Sequence, residues 1–332
     1  MVPILLNSDW VNEVPFICPT QLSKQRNSTA TICPHLLQRE FGSLIFSSNV
    51  YQLTAGVPVL LPLEGIEGDE KITEEERKKF YIQHYGGRSR FEDLASDYLA
   101  HEREMVRHFI KEKKIRGWVL EIGCGTGIFA DCSSKYIGMD YSCSSVFAEG
   151  FENFRRFVGD AQYIPLTDSS MEMVFSFNTL EHVPRPDLAF LEVDRVLAPG
   201  GYAILHPAWN CSFIQNRLIP VRSYSELKGM DKLVKISLPA LRNRGVKFCL
   251  RVPRRLWRAL ANFGRSHLPL HYQELQPYMG SDVFIADCDA CASIDVMDAI
   301  LFFKSRGYEC LSHPGMFDQV LSGHKPVVVR KP

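Results

Sequence analysis

The segment Val119-Leu120-Glu121-Ile122-Gly123-Cys124-Gly125-Thr126-Gly127 constrains this chain more than any other stretch of it. A short apolar run leads straight into a turn in which every second residue is glycine. Such a run reads as a buried strand, and glycines at its end let a ligand approach the backbone where a Cβ would clash. A helix start after the turn offers free N–H groups. The surrounding chain alternates in the same way. Strands are expected at Gly117–Gly123, Tyr136–Asp140, Arg156–Gly159, Met173–Asn178 and Gly201–His206. Helices are expected at Arg90–Glu112, where Phe91, Leu94, Leu99, Met105 and Phe109 recur at helical spacing, and at Ser144–Arg155 and Pro186–Leu197. The turn Ala198-Pro199-Gly200-Gly201 stops the last of these. Further on, Ser293–Ser305 reads as a helix, and Tyr308–His313 and Pro326–Arg330 as strands. This alternation predicts an α/β fold, a mostly parallel sheet with helices on both faces.

Composition supports a globular chain and little else. At 332 residues, 45% hydrophobic and 23% charged, it has material for a sizeable core, which excludes disorder, collagen or coiled coil as an overall description. The run Gly56–Leu63 is far short of the ~20 residues a spanning helix needs. Met1–Trp10 lacks the basic start of a secretory signal. Ten scattered cysteines read as reduced thiols, so a cytoplasmic location is expected, and the sequons at Asn27 and Asn210 read as chance matches. The charge is balanced overall, 38 basic against 38 acidic, yet unevenly spread. Residues 210–270 carry 13 Lys and Arg against Glu226 and Asp231, a local net of +11. The acidic run Glu64–Glu76 reads as a solvated linker. The expected organisation is therefore a small β-rich module at 1–63, an acidic linker and lead-in at 64–89, and a main domain at 90–332 with a basic insertion at 207–280.

The glycine spacing separates two chemistries. A dinucleotide site needs glycines at relative positions 1, 3 and 6, whereas here they fall at 1, 3 and 5, with Ile128 sixth and Glu121 two before the first. This acidic-x-Gly-x-Gly-x-Gly pattern resembles the first motif of the class I S-adenosylmethionine-dependent methyltransferases. The resemblance continues in order through Tyr136–Asp140, Gly159-Asp160-Ala161, Phe177-Asn178-Thr179-Leu180-Glu181-His182-Val183-Pro184 and Arg195–Gly201. The subtype resembles the methyltransferases of ubiquinone and menaquinone biosynthesis. The likeness implies a Rossmann-like seven-stranded sheet and S-adenosyl-L-methionine as cofactor. It places Glu121, Gly123, Cys124, Gly125, Gly127, Asp140, Tyr141, Asp160, Ala161, Asn178 and Leu180 around that cofactor. Asp140 would accept from the ribose hydroxyls, Asp160 would contact the adenine amine with Ala161 along the ring, and the Phe177–Pro184 stretch would close over the sulfonium side. A carboxylate at Glu121 suits a cationic ligand.

Methyl transfer requires the acceptor, the methyl carbon and the sulfur in line, and a base only where the nucleophile must first lose a proton. Glu181, His182 and His206 are the candidate bases. Some relatives hold a divalent metal with Glu-x-x-Glu-His here, but the first position is Asn178, so no metal is expected. Near the start, Phe16-Ile17-Cys18-Pro19, Ile32-Cys33-Pro34 and Gly56–Pro62 resemble the small zinc ribbon of the tRNA-methyltransferase activator family. A working ribbon needs two Cys-x-x-Cys pairs. Gln21 and Leu36 stand at the second positions, and Cys18, Cys33 and His35 make a poor set, which implies a ribbon that has lost its zinc. The lone Cys288-Asp289-Ala290-Cys291 reads as coincidence.

Within the basic insertion, Val252, Leu256, Leu260 and Phe263 fall on one helical face and Arg251, Arg255 and Arg258 on another, with Pro253 in the first turn and Gly264 past the end. This predicts a lid helix packed by its apolar side with a solvated basic side. The basic side would suit an anionic partner: a small-molecule or lipid-linked acceptor, peripheral contact of residues 251–263 with a membrane surface, or RNA. Methyl transfer to a small or lipid-linked acceptor is the leading reading. An RNA methyltransferase and a non-catalytic cofactor-binding scaffold are the alternatives.

Overall fold

The computed structural model describes residues 9–19, 22, 37–40, 43–46, 49–54, 57–61, 99–142, 154–280, 283 and 285–332. These belong to two compact units, Met1–Ser176 with Leu188–Ala203, and Phe177–Asp187 with Ile204–Pro332.

In the first unit the antiparallel strands β1 (Leu37–Glu40), β2 (Ser43–Phe46), β3 (Asn49–Thr54) and β4 (Val57–Leu60) follow one another as a meander. The sheet continues in the order β4-β7-β6-β5-β8-β9, with β5 (Val119–Ile122), β6 (Tyr136–Asp140), β7 (Arg156–Gly159), β8 (Met171–Phe177) and β9 (Leu197–His206). The pairs β4–β7, β7–β6, β6–β5 and β5–β8 are parallel. Leu120 lies opposite Ile137 on one side and Val174 on the other. Every residue of β5 and β7 is buried, as strands covered on both faces must be. Order reverses at β5, whose neighbours β6 and β8 follow it in sequence on opposite sides. That reversal places the natural ligand crevice at the carboxyl end of β5. Helix α1 (Ala100–Lys113) buries Val106 and Ile110 and ends where Lys114 turns left-handed at φ 55°. The expected start of this helix, 90–98, lies outside the described residues, as do the helix expected at 144–153, the acidic linker, Cys33 and His35. Cys18 is buried beside Ile17, whose N–H donates to the Pro165 carbonyl at 3.0 Å.

The second unit contains the last residues of β9, and its strand order there is β9-β13-β12, with β12 (Glu309–Cys310) antiparallel to β13 (Val327–Arg330). The strand count differs from the seven expected, because the N-terminal meander β1–β4 adds to β5–β9 in the first unit. Helix α2 (Pro186–Val196) leads into β9, which begins at Leu197 rather than Gly201. The expected helix Ser293–Ser305 is shorter: Ala292–Ile294 forms strand β11, paired with β10 (Tyr272–Glu274), and the helix is Val296–Lys304. Both Ser293 and Asp295 are capping residue types, and Asp295 takes the role by accepting the Met297 N–H at 2.9 Å. The strand expected at Tyr308–His313 stops at Cys310, because Ser312 and His313 engage each other and Ser322 by side-chain hydrogen bonds of 2.7 Å.

The basic insertion departs furthest from expectation. It folds as α3 (Phe213–Asn216), α4 (Met230–Arg242) and α5 (Arg244–Ala261), before α6 (Val296–Lys304) and α7 (Met316–Leu321). Asn243 caps α5, accepting from Gly245 and Val246, so Pro253 falls inside the helix instead of in its first turn. The faces are also inverted. Arg255 is only 2% exposed, whereas Leu256, Leu260 and Phe263 are exposed. Arg255 Nε and Nη2 donate to Asp295 at 2.8 and 3.1 Å, and its Nη1 donates to the carbonyls of Val320 and Ser322 at 3.0 and 2.6 Å. Arg258 pairs with Asp298. A fully satisfied guanidinium is held more specifically than an aliphatic side chain, and here it decides which face turns inward.

Arg255→Ala leaves Asp295 buried without its main partner and is expected to cost about 3–5 kcal/mol in urea unfolding of the full chain. Arg254→Ala, which removes a half-exposed partner of the same carboxylate, is expected to cost less than about 1 kcal/mol. Equal losses for the two would show that the buried pair does not anchor the helix.

Candidate functional site

Strand β5 delivers Glu121 and the glycine turn to the carboxyl edge of the sheet. Gly123, Gly125 and Gly127 have φ of 80°, 48° and 81°, a region where side-chain-bearing residues are strained. The Gly123 and Cys124 N–H groups donate to the Met139 carbonyl at 2.8 and 3.0 Å, which closes the turn onto β6. The last two glycines then differ in purpose. A Cβ on Gly127 would fall 2.3 Å from the Phe154 ring, so its reason is packing. A Cβ on Gly125 would meet nothing within 4 Å among the described residues, which leaves space over the turn there.

Asp140 ends β6 beside that space. Its Oδ2 accepts the Gly125 N–H and its Oδ1 accepts the Ser142 N–H, both at 2.8 Å. Burial raises its pKa and these amide bonds oppose the rise. Each carboxylate oxygen retains acceptor capacity for a ligand hydroxyl. Asp160 is buried after β7 and is gripped by Gln162, whose backbone N–H donates at 2.8 Å and whose Nε2 reaches both oxygens at 3.1 and 3.0 Å. Ala161 is buried beside it, and Tyr141 is half-buried after Asp140. Cys124 is buried, and burial pushes its thiol well above the usual range, so its contribution at this turn is its backbone.

Glu121 does not have the state its motif suggests. It is buried and accepts a hydrogen bond from the Tyr136 hydroxyl. Burial pushes its pKa up to about 8, against the opposing bond from Tyr136 and with the charge of Asp140 adding to the rise. Burial therefore favours its protonated form, and a nearby cation would favour the ionised one. Tyr136 and Gln162 were not singled out from the sequence. Gly138 was also missed, although a Cβ there would meet the Cys124 side chain at 2.7 Å, and a glycine inside a strand pattern is the usual sign of such close approach.

The remaining candidates lie in the second unit. Asn178 follows β8 with φ 47°, its N–H donating to the His206 carbonyl at 2.9 Å. Leu180, Glu181 and His182 form a single helical turn in which Leu180 and Glu181 are completely buried. His182 is flanked by two carboxylates: Nε2 lies 3.7 Å from Glu181 Oε1, and Nδ1 lies 3.3 Å from Asp289 Oδ2. Burial lowers the His182 pKa, but Asp289, Glu181 and Asp287 outweigh it and leave it raised. Burial raises the pKa of Glu181, and His182 opposes that. Asp289 comes from the Cys-x-x-Cys stretch read as coincidence, and the Cys291 N–H pins that stretch by donating to the Glu181 carbonyl at 2.8 Å. His206 Nε2 lies 2.5 Å from the His324 carbonyl, which fixes Nε2 as a donor. Its ring meets Phe177 edge-on at 6.0 Å.

Because a cation favours the ionised form of Glu121, the affinity of the chain for S-adenosylmethionine is expected to rise with pH and level off above about 8. Below that pH, binding should release up to about one proton, read as a dependence of calorimetric heat on buffer ionisation. Heats that are independent of buffer, or unchanged in Glu121→Gln, would remove Glu121 from the ligand's surroundings.

Residues 120–205 match a family described as "Methyltransferase domain". An uncharacterized methyltransferase of Mycobacterium avium is 33% identical over 122 residues, covering 34% of this chain and 47% of that protein. A probable tRNA methyltransferase 9B of Bos taurus is 29% identical over 106 residues, covering 30% and 23%. The solved PH0226 protein of Pyrococcus horikoshii OT3 is 24% identical, with 46% of this chain and 74% of that one covered and a TM-score of 0.34. The chain thus spans about half the length, or less, of these curated relatives. The matched segment begins within β5 and contains the glycine turn, Asp140 and Asp160, so residues 120–205 are similar to a methyltransferase domain.

Proposed function

We propose that this chain transfers a methyl group from S-adenosylmethionine to a small-molecule or lipid-linked acceptor. The observation that carries the reading is the space over Gly125 beside the amide-held Asp140, inside the segment that matches a methyltransferase domain. Those residues fit the cofactor chemically. Asp140 supplies acceptors for vicinal hydroxyls, Asp160 an acceptor for an exocyclic amine, and Glu121 a carboxyl that ionises next to a cation. The cofactor, when bound, supplies a methyl group already activated for displacement. The chain binds and orients it, excludes water, and removes a proton where the acceptor's nucleophile carries one. His182 takes that last role in this reading, with the Asp289 carboxylate 3.3 Å from Nδ1 favouring the charged ring. His206 is less suited, because its Nε2 already donates to a carbonyl.

The runner-up is an RNA acceptor, favoured by the 13 Lys and Arg of residues 210–270 and by the printed name of the Bos taurus relative.

Asp140→Ala is expected to weaken cofactor binding by on the order of 3 kcal/mol, read by calorimetry, through lost charge-assisted hydrogen bonds. With a His182 pKa raised above 6.5, the rate is expected to climb as pH rises through that raised value, where the ring loses its proton. His182→Gln should flatten the climb, and Asp289→Asn should move it to lower pH. The acceptor class is tested with methyl-labelled cofactor and a cell extract, using Gly123→Arg protein as control. Label in the organic or aqueous small-molecule fraction supports the reading. Label in the nuclease-sensitive fraction replaces it with the RNA acceptor.

A further inference from the structure

The same inversion that buries Arg255 leaves the apolar side of α5 facing water. Trp257 is 71% exposed, Leu260 65% and Phe263 82%. At 100° per residue, Val246, Leu250, Trp257 and Leu260 fall on one stripe along the helix, with Lys247, Arg251 and Arg254 together on its flank, while Arg258 on the same side is turned onto Asp298. Helix α4 also exposes apolar side chains. It packs inward through Leu238 against Ile219 and Leu227, and it presents Met230, Leu233 and Ile236 outward. Ten of the exposed large apolar side chains among the described residues lie in Met230–Phe263, within the region of local net charge +11. A surface of this extent on a folded protein is a contact site.

We propose that helices α4 and α5 dock in the plane of an anionic lipid surface, with Trp257, Leu260 and Phe263 entering the headgroup–acyl boundary and the basic flank meeting the headgroups. The occupant follows from the charge. A two-fold contact with a second copy would set the same basic region against itself. A nucleic acid would pair with the flank but leave the apolar stripe in water. An anionic lipid surface takes both, and a helix with an apolar stripe beside a basic flank is the form that lies on such a surface. Among the described residues no helix is long and apolar enough to cross a membrane, so the contact is peripheral. This inference stands apart from the methyl-transfer reading, since it uses none of the residues assigned to it.

The test is co-sedimentation of the full chain with phosphatidylcholine vesicles, with and without phosphatidylglycerol, at low and high salt. The chain is expected to sediment with the phosphatidylglycerol vesicles, less so at high salt, and its tryptophan emission should shift to the blue. Trp257→Phe should abolish the shift while retaining binding. Trp257→Glu with Leu260→Glu should lower partitioning about tenfold or more, and Phe263→Ser should lower it by less, each with unchanged far-UV circular dichroism and melting temperature. Lys247→Glu with Arg254→Glu should remove most of the salt dependence. Absence of binding overturns the proposal, and so does equal binding by the double glutamate variant. A dimer in sedimentation velocity that dissociates in that variant, without vesicle binding by the parent chain, would assign the face to a second copy. Binding of an RNA oligomer that quenches Trp257, without vesicle binding, would assign it to RNA.

Discussion

Strand β5 is buried on both faces and paired on both edges, and the rest of the first unit follows from that enclosure. A parallel strand so covered has no side chain free for a ligand along its length. Chemistry is pushed to its carboxyl end, where the chain must turn and backbone amides come free. The three glycines permit the turn, β6 brings Asp140 alongside, and burial sets the protonation of Glu121. The enclosure also explains why Glu121 and Asp140 have raised pKa values. Each loses water to the packed strands and regains only part of it as hydrogen bonds.

The strand-and-turn grammar was legible because it is local. Val119–Ile122, Tyr136–Asp140 and Arg156–Gly159 carry their periodicity and their terminators within a few residues, and the structure places them within two residues of the reading. Helix α5 was not legible in the same way. Its amphipathic pattern was visible, but periodicity states only that two faces differ. It does not say which one is inside. That choice is made by Asp295, 40 residues away, together with the carbonyls of Val320 and Ser322. Asp289 was missed for a related reason: its meaning comes from standing 3.3 Å from His182, and nothing near Cys288 announces it.

The candidate-site acids of the first unit and the charged groups of the second are met by unlike partners. In the first, each acid of the candidate site is met by backbone amides, a phenol or an amide side chain, all neutral groups that leave charge available to a ligand. In the second, Arg255, Arg258 and His182 meet carboxylates directly. Such pairs fix geometry more than they add stability, because desolvation takes back much of the attraction. The second unit therefore uses its ions to choose an arrangement.

The N-terminal meander has a bearing on how the chain reaches this fold. Strand β4 pairs in parallel with β7, Val59 opposite Val158, across about a hundred residues of sequence. The hairpins β1-β2-β3-β4 close over short loops, so they form early, while the join to β7 waits for a long loop to close and comes late. Until it does, β7 is an open sheet edge of buried-type residues, Phe157 and Val158 among them. In the folded chain β4 covers that edge, so the meander does for β7 what a neighbouring strand does for any buried one.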